Sequence, residues 1–237
     1  MEPIIRISST PELVAREFAG YLLEKSLRMD KLNIALSGGS TPTLLFDLLA
    51  QKYQQRIPWE NIHFFWGDER CVPPDHEESN YKMTHDHLFQ HIDIPEENIH
   101  RIRGEEDPEK ECIRYGQEII DHLGENPVFD IVILGMGSDG HTASIFPHQM
   151  ELLEAKSVCA TATHPESGQI RVTLTGPVIN AAERIFFLVT GSSKAEKVDE
   201  ILNNKPSANS YPAAHIKSEN GKLYWYLDEA AAELFKT

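Results

Sequence analysis

Residues 129–144, FDIVILGMGSDGHTAS, join an apolar run to a glycine-rich segment, and this junction indicates the fold class. The run at 129–134 is of the kind that is buried in a parallel sheet. Similar runs occur at 32–36, 61–66 and 184–189, and stretches with helical spacing lie between them. Strands that alternate with helices favour an α/β fold with a doubly wound, mostly parallel sheet flanked by helices. Because ligands bind beyond the carboxyl ends of such strands, the residues after each run are the candidate functional residues.

The remaining elements follow from the same spacing rules. The pattern predicts helices at 13–29, 41–53, 79–91 and 108–123, after Ser192 and at the end of the chain. It predicts further strands at 171–174 and 222–227. No repeat or long Pro/Gly linker divides the 237 residues, and we therefore expect one α/β domain, 1–237.

The composition limits the class of partner. There are 37 acidic side chains against 22 basic ones, and the formal net charge of −15 repels nucleic acid and anionic membranes. A small anionic substrate remains compatible if the few cations are concentrated around it. No apolar stretch approaches the ~20 residues that cross a bilayer, and the amino-terminal segment lacks the apolar core of a secretory signal. Cys71, Cys112 and Cys159 are odd in number, which favours reduced thiols. We expect a cytoplasmic protein.

The first candidate loop is Ser37-Gly38-Gly39-Ser40-Thr41-Pro42. Its two glycines allow a close approach of the backbone to a ligand, Thr41 suits a helix N-cap, and Pro42 suits the first helical turn. Free N–H groups and a helix dipole then point at one spot, where an anion binds well. The loop lacks the Lys of a nucleotide-triphosphate loop. A plain, well-capped turn remains the alternative.

The second candidate loop, Gly67-Asp68-Glu69-Arg70, follows an apolar strand directly. The planar guanidinium of Arg70 suits phosphate oxygens, although a solvated turn with an Arg–carboxylate pair would have the same residues. Arg171 and Lys194 lie beside two later strands, and each alone could be a surface cation. Together with the glycine loop, the three cations are best explained by one phosphate pocket.

The segment 135–144 carries the candidate chemistry. Its glycines formally match G-x-G-x-x-G, but Asp139 and His141 stand where a dinucleotide fingerprint runs into a helix, and Pro147 interrupts that helix. An Asp two residues before a His on a glycine-rich turn indicates a general base on a rigid platform. A structural histidine is the alternative. His85, His87 and His91 include an i,i+4 pair, but no Cys or acidic partner lies at ligand spacing, so we expect no metal site there.

Five segments together resemble the 6-phosphogluconolactonase family over residues 11–227. They are LSGGSTP (36–42), FFWGDERCVPPDHEESNY (64–81), DIVILGMGSDGHTASIFP (130–147), RVTLTGPVIN (171–180) and FLVTGSSKAE (187–196). The resemblance implies hydrolysis of 6-phospho-D-glucono-1,5-lactone to 6-phosphogluconate in the pentose phosphate pathway. It also implies the Rossmann-like fold that the family shares with the glucosamine-6-phosphate deaminases.

The resemblance implies a role for each candidate residue. His141 would activate water, and Asp68 and Asp139 would orient the site. The phosphate would be held by the cations and the glycine turn, namely Arg70, Arg171, Lys194, Gly38, Gly39, Ser40 and Thr41. Backbone N–H groups of the turn at 135–140 are one candidate for stabilising the oxyanion. No metal or organic cofactor is expected. The partner would be a small sugar-phosphate lactone, bound by a monomer or a weak homo-oligomer.

Two alternatives remain. The glucosamine-6-phosphate deaminases have similar segments, but they carry a Glu five residues after the histidine, where this chain has Phe146, and Asp-Glu-Tyr where this chain has Asp68-Glu69-Arg70. A non-enzymatic sugar-phosphate-binding regulator would keep the pocket, but binding alone does not need His141 with Asp139.

Overall fold

The computed structural model describes residues 2–219 and 221–235. Its strands are β1 (Ile4–Ser8), β2 (Leu32–Leu36), β3 (Ile62–Trp66), β4 (Asp68–Arg70), β5 (Ile131–Leu134), β6 (Cys159–Thr163), β7 (Ile170–Leu174), β8 (Arg184–Val189) and β9 (Lys222–Asp228). Its α-helices are α1 (Pro11–Ser26), α2 (Ser40–Lys52), α3 (Asn80–His87), α4 (Pro108–Leu123), α5 (Gly176–Ala181), α6 (Ala195–Leu202) and α7 (Pro212–His215). Short 3₁₀ helices lie at Trp59–Asn61, Phe89–His91, Glu96–Asn98, Met150–Leu153, Ser192–Lys194 and Pro206–Ser210.

The main sheet is parallel and confirms the predicted fold class. Its strand order is β1-β9-β8-β5-β2-β3. All four residues of β5 are buried, as expected for a parallel strand covered on both faces. From β2 the chain goes to β3 on one side, and it later returns to β5 on the other side. The strand order therefore reverses between β2 and β5, which is where a doubly wound sheet binds its ligands.

A second, antiparallel sheet with the order β4-β7-β6 was not predicted. The segment at 68–70, expected as a loop, is strand β4, and the predicted strand at 171–174 pairs with it instead of joining the main sheet. The chain passes between the sheets at Gly67, whose N–H donates to Leu36 O at 2.8 Å and whose carbonyl accepts from Leu174 N at 2.8 Å. The backbone of Gly67 is therefore hydrogen-bonded to both sheets.

Two local predictions are wrong. Helix α2 begins at Ser40, so Gly39 is the N-cap and Thr41 lies inside the first turn, next to Pro42 as predicted. The expected closing helix is absent from residues 229–235, where the chain forms hydrogen-bonded turns. There Asp228 accepts from Ala231 N at 2.8 Å, so a side chain takes up a backbone N–H. No helix in the described part of the chain is long and apolar enough to cross a membrane.

Tyr115 of α4 anchors the end of β3. Its buried hydroxyl accepts from Trp66 N at 2.8 Å and donates to Trp66 O at 3.0 Å. Both groups belong to the last residue of an edge strand, and a buried backbone group without a partner is costly. One side chain therefore satisfies the strand at the point where it leaves the main sheet.

We predict that Tyr115→Phe lowers the free energy of unfolding by about 1–3 kcal/mol, because it leaves two buried backbone groups unpaired. Tyr21→Phe is the matched control, because the buried Tyr21 hydroxyl has no partner among the described residues. Urea unfolding of both variants measures the difference. An equal loss in the two variants would contradict the anchoring role of Tyr115.

Candidate active site

A cleft of about 230 Å³ opens at the carboxyl ends of β2, β5 and β8. The predicted site residues that line it are Gly38, Gly39, Ser40, Thr41, Asp68, Arg70, His141, Arg171 and Lys194. The remaining predicted residue, Asp139, does not line the cleft, and its carboxylate contacts Nδ1 of His141. The cleft therefore lies at the reversal of strand order, and it combines residues of both sheets.

The glycine loop after β2 contacts its neighbours closely. A Cβ on Gly38 would lie 1.9 Å from Asn80 Oδ1, so a side chain at this position would displace Asn80. The Thr41 hydroxyl is 2.8 Å from the Thr190 hydroxyl, which ties this loop to the segment after β8. The first turn of α2 borders the cleft with Ser40 and Thr41. The amino-terminal end of a 13-residue helix thus faces the cavity.

Glu69 organises the segment after β4, a role that the sequence did not indicate. The side chain is 2% exposed, and its carboxylate accepts from Ser79 Oγ and from the N–H groups of Arg70, Asn80 and Tyr81 at 2.7–3.0 Å. Burial raises the pKa of Glu69, while these donors act in the opposite direction. The carboxylate therefore fixes the start of α3 against β4.

Asn80 is a cleft residue that the sequence reading missed. It lines the cavity, and its Nδ2 donates to Asp68 O at 2.9 Å. Asn80 lies in the segment 64–81 that carries the resemblance, directly after Ser79, whose hydroxyl caps α3 by accepting from Lys82 N. Its contact with the cleft depends on a distant chain segment and could not be read from the sequence.

Asp68 connects the two sides of the cleft. It is 5% exposed, and its Oδ2 accepts from Ser144 Oγ at 2.6 Å. Ser144 lies in the same segment as His141, so Asp68 is joined to the histidine loop. Arg70 does not form the Arg–carboxylate pair considered as the alternative for this loop, and its Nη1 donates to Glu78 O.

His141 and Asp139 form the polar pair that their spacing predicts. His141 Nδ1 lies 2.6 Å from Asp139 Oδ1, and the same oxygen accepts from His141 N at 3.1 Å. Burial would raise the pKa of Asp139, but the hydrogen bonds and charge of His141 outweigh it and lower the value to about 2. Asp139 is therefore a carboxylate at neutral pH. A Cβ on Gly137 would lie 2.2 Å from His141 Nδ1, so this position needs glycine.

The three predicted cations converge, but not from three separate strand ends. Arg70 and Arg171 are directly opposite each other in the register of β4 and β7. The guanidinium of Arg171 lies over the ring of Phe146 at 5.7 Å. Arg70 Nε is buried and has no hydrogen-bond partner among the described residues. Two adjacent guanidinium groups and an unpaired buried N–H indicate a place where an anion is expected.

Lys194 reaches the cleft from the opposite side. It ends the short 3₁₀ helix after β8, and Asp228 of β9 holds this segment by accepting from Gly191 N at 2.9 Å. Burial lowers the pKa of Lys194 and of Arg171, and the charge of Arg70 lowers that of Arg171 further. Both cations are therefore partly desolvated, and a bound anion would compensate for that loss.

The remaining candidates from the sequence lie elsewhere. His87 Nδ1 is 2.8 Å from Asp47 Oδ1, and the described residues form no metal-binding group around His87 and His91. Burial raises the pKa of Cys71 to about 11, which argues against a reactive thiolate. After β5 the next helical turn is the 3₁₀ helix Met150–Leu153, so the glycine-rich segment does not open a helix as a dinucleotide fingerprint does.

Comparison with known proteins relates this site to two activities. The family described as glucosamine-6-phosphate isomerases/6-phosphogluconolactonase matches residues 9–225. The 6-phosphogluconolactonase of Haemophilus influenzae is 50% identical over 222 residues, which are 93% of each chain. The structure of a 6-phosphogluconolactonase from Trypanosoma cruzi has a TM-score of 0.88 at 29% identity, covering 100% of this chain and 99% of that one. A monomeric glucosamine-6-phosphate deaminase has a TM-score of 0.84 at 25% identity, covering 98% of this chain and 99% of that one.

Proposed function

Since the chain belongs to the glucosamine-6-phosphate isomerase/6-phosphogluconolactonase family, we propose a lactonase mechanism carried out by its own cleft residues. The chain is an enzyme, a hydrolase that opens 6-phospho-D-glucono-1,5-lactone to 6-phospho-D-gluconate in the pentose phosphate pathway. The observation that carries the mechanism is the pair of His141 and Asp139 at the edge of a cleft that also contains three cations.

His141 is the general base in this proposal. Asp139 is ionised and lies 2.6 Å from Nδ1, so in the neutral imidazole the ring proton resides on Nδ1 and Nε2 has a lone pair. Nε2 can then remove a proton from a water molecule that attacks the lactone carbonyl. Asp139 holds the ring in this tautomer and stabilises the imidazolium that forms.

The second half of the reaction returns the proton. The attacking water oxygen becomes bonded to C1, and the carbonyl oxygen carries the negative charge of the tetrahedral intermediate. When this intermediate collapses, the bond between C1 and the ring oxygen breaks, and the His141 imidazolium gives its proton to the leaving ring oxygen. The product is the open-chain carboxylic acid, and no covalent bond to the protein is needed.

Two of the backbone N–H groups considered as oxyanion donors in the turn at 135–140 already have hydrogen-bond acceptors. Gly137 N donates to His141 O at 2.9 Å, and Gly140 N donates to Gly137 O at 3.1 Å. Both groups are engaged in holding the turn. Their role in the mechanism is to keep His141 in place, and we propose no oxyanion contact for them.

The phosphate group binds to the cations and to the start of α2 in this proposal. Arg70 and Arg171 approach from the second sheet, Lys194 approaches from the segment after β8, and Ser40 and Thr41 present the first turn of the helix. Charge-assisted hydrogen bonds and the helix dipole both favour a dianion there. A phosphate fixed at this end positions the lactone carbonyl near His141, which is an orientation effect.

Deaminase activity, the alternative within the family, conflicts with Phe146. The deaminases carry a Glu at this position, and here the Phe146 ring is fully buried 4.8 Å from the His141 ring. A phenyl ring neither accepts nor donates a proton, so the aminosugar reaction lacks its acid–base group. A purely regulatory binding protein does not agree with the enzyme homologues.

We also propose the cytoplasm as the compartment, and a monomer or weak homo-oligomer as the active form. The free cysteines of the described chain, Cys71, Cys112 and Cys159, support a reducing environment. Each residue to which the proposed mechanism gives a role belongs to one chain, so the mechanism assigns no role to a second copy. Because both sheets contribute to it, we treat 1–237 as one domain.

The activity is tested with freshly prepared 6-phosphogluconolactone. Purified protein should accelerate its hydrolysis well above the spontaneous rate, and EDTA should leave the rate unchanged because no catalytic metal is proposed. Ammonia release from glucosamine 6-phosphate is measured in parallel. Ammonia release without lactone hydrolysis would contradict the proposed function.

We predict that His141→Asn lowers kcat by about 10²–10⁴-fold, the usual contribution of a general base, with little change in KM or Tm. Asp139→Asn should lower kcat by roughly tenfold or more, because the amide does not hold the imidazole in the same way. Steady-state kinetics and thermal unfolding measure these effects, with the exposed His85→Asn as control. Near-normal turnover of His141→Asn would assign this histidine a structural role.

We predict that Arg171→Ala and Lys194→Ala each lower kcat/KM for the phosphorylated lactone by about 10–100-fold, since a hydrogen bond to a charged group contributes roughly 1.5–3 kcal/mol. Hydrolysis of unphosphorylated gluconolactone should hardly change, because that substrate never makes the deleted contact. Arg103→Ala, at an exposed position, is the control. An equal loss on both lactones would refute the phosphate pocket.

A further inference from the structure

A cluster of histidines lies outside the catalytic cleft. His63 is on β3, His100 follows the 3₁₀ helix Glu96–Asn98, and His122 is in the last turn of α4. One ring nitrogen of each lies within 4.8 Å of the others. The cleft lining includes none of the three. The cluster joins three chain segments that the proposed lactonase mechanism does not use.

The spacing within the cluster is close to that of metal ligands. His63 Nδ1 lies 3.1 Å from His100 Nε2. Two nitrogens bound tetrahedrally to one Zn²⁺, each at about 2.0–2.1 Å, lie about 3.4 Å apart. The rings of His63 and His100 have centroids 4.4 Å and 4.6 Å from that of His122. Small side-chain movements would therefore bring three nitrogens to one ion.

Neighbouring groups hold the rings in the orientation that a metal site needs. His100 Nδ1 is 2.9 Å from Glu118 Oε1, and its side chain is 12% exposed. A carboxylate that accepts from one ring nitrogen leaves the other nitrogen with a lone pair, which is the usual arrangement behind a metal-bound histidine. His122 Nε2 is 3.1 Å from Asn33 Oδ1, so this ring is positioned as well.

The helix dipole and solvent access favour a cation, whereas Lys31 places a positive charge near His63 and His122. His122 lies at the carboxyl end of a 16-residue helix, where the helix dipole is negative, and Glu118, behind His100, also pairs with Arg114. His63 and His122 are only half-buried, so an ion can reach the cluster from solvent. Three imidazoles without a thiolate suit borderline divalent transition metals and do not suit Mg²⁺ or Ca²⁺.

We propose that His63, His100 and His122 form a binding site for a divalent transition metal such as Zn²⁺, with Glu118 as the positioning residue. The ion would connect β3, the segment before α4 and the end of α4. The cleft lining includes none of the three ligands, so the ion takes no part in the proposed lactone reaction. A water molecule would complete the tetrahedron.

The test uses the full-length protein after EDTA treatment and desalting. Titration with Zn²⁺ by calorimetry should show about one equivalent bound, and Co²⁺ should give the absorption bands of a tetrahedral complex. Zn²⁺ in large excess over Kd should raise Tm by about 5 °C or more. Absence of Zn²⁺ binding to the wild-type chain would refute the proposal.

Variants assign the binding to the cluster. His63→Gln and His122→Gln should weaken Zn²⁺ binding by roughly tenfold or more, and Glu118→Gln by about 10–100-fold, the usual effect of losing the carboxylate behind a ligand. Circular dichroism checks that each variant is folded. His85→Gln, on the exposed face of α3, is the matched control and should bind as the wild type does.

A separate variant tests whether Zn²⁺ binds at His141 instead of at the cluster. His141→Asn should keep the binding stoichiometry and the Tm shift. If His141→Asn abolishes binding, or if His63→Gln and His122→Gln bind Zn²⁺ as tightly as the wild type, the proposed site is wrong.

Discussion

The passage of the chain from one sheet to the other at Gly67 is the constraint on which the site depends. The Gly67 backbone donates to Leu36 O in the main sheet and accepts from Leu174 N in the second sheet. The strand before this residue is anchored by Tyr115, and the strand after it begins with Asp68. Because the crossing is fixed on both sides, β4 lies over the carboxyl ends of the parallel strands. Residues of an antiparallel sheet thereby become part of a cleft at the switch point of a parallel one.

Two buried carboxylates, Asp68 and Glu69, hold the segments around the cleft in fixed positions. Glu69 satisfies its charge with four donors from β4 and the start of α3, and Asp68 takes the hydroxyl of Ser144 in the histidine loop. Buried charges are tolerated only when their hydrogen-bonding capacity is used, so these contacts restrict the positions of both segments. The cleft of a chain with a net charge of −15 can then hold an anion, because its cations are grouped there.

Local patterns made the helices and the contact between His141 and Asp139 predictable. The helix expected at 108–123 is found as Pro108–Leu123, with Asp107 as its cap, and Asp139 and His141 are only two residues apart. Features that depend on distant contacts were not predictable. Strand β4 exists because β7 pairs with it, and the close approach of Asn80 to Gly38 joins segments far apart in the chain. The closing helix that the sequence predicted does not form, because side-chain and turn hydrogen bonds take the place of helical ones after Asp228.

The hydrogen bond from Gly191 to Asp228 bears on how the enzyme matures during synthesis. Asp228 ends the last strand of the main sheet, yet it holds the segment that carries Lys194. Strand β9 pairs with both β1 and β8, so β1 can join the main sheet only after β9 has been synthesised. A chain in which β9 has not yet been synthesised therefore has an incomplete main sheet, and its Lys194 segment lacks the contact with Asp228. Such long-range parallel pairing is slow to form. A truncation before Asp228 would therefore remove the strand that pairs with both β1 and β8, and also the contact that holds the segment of Lys194.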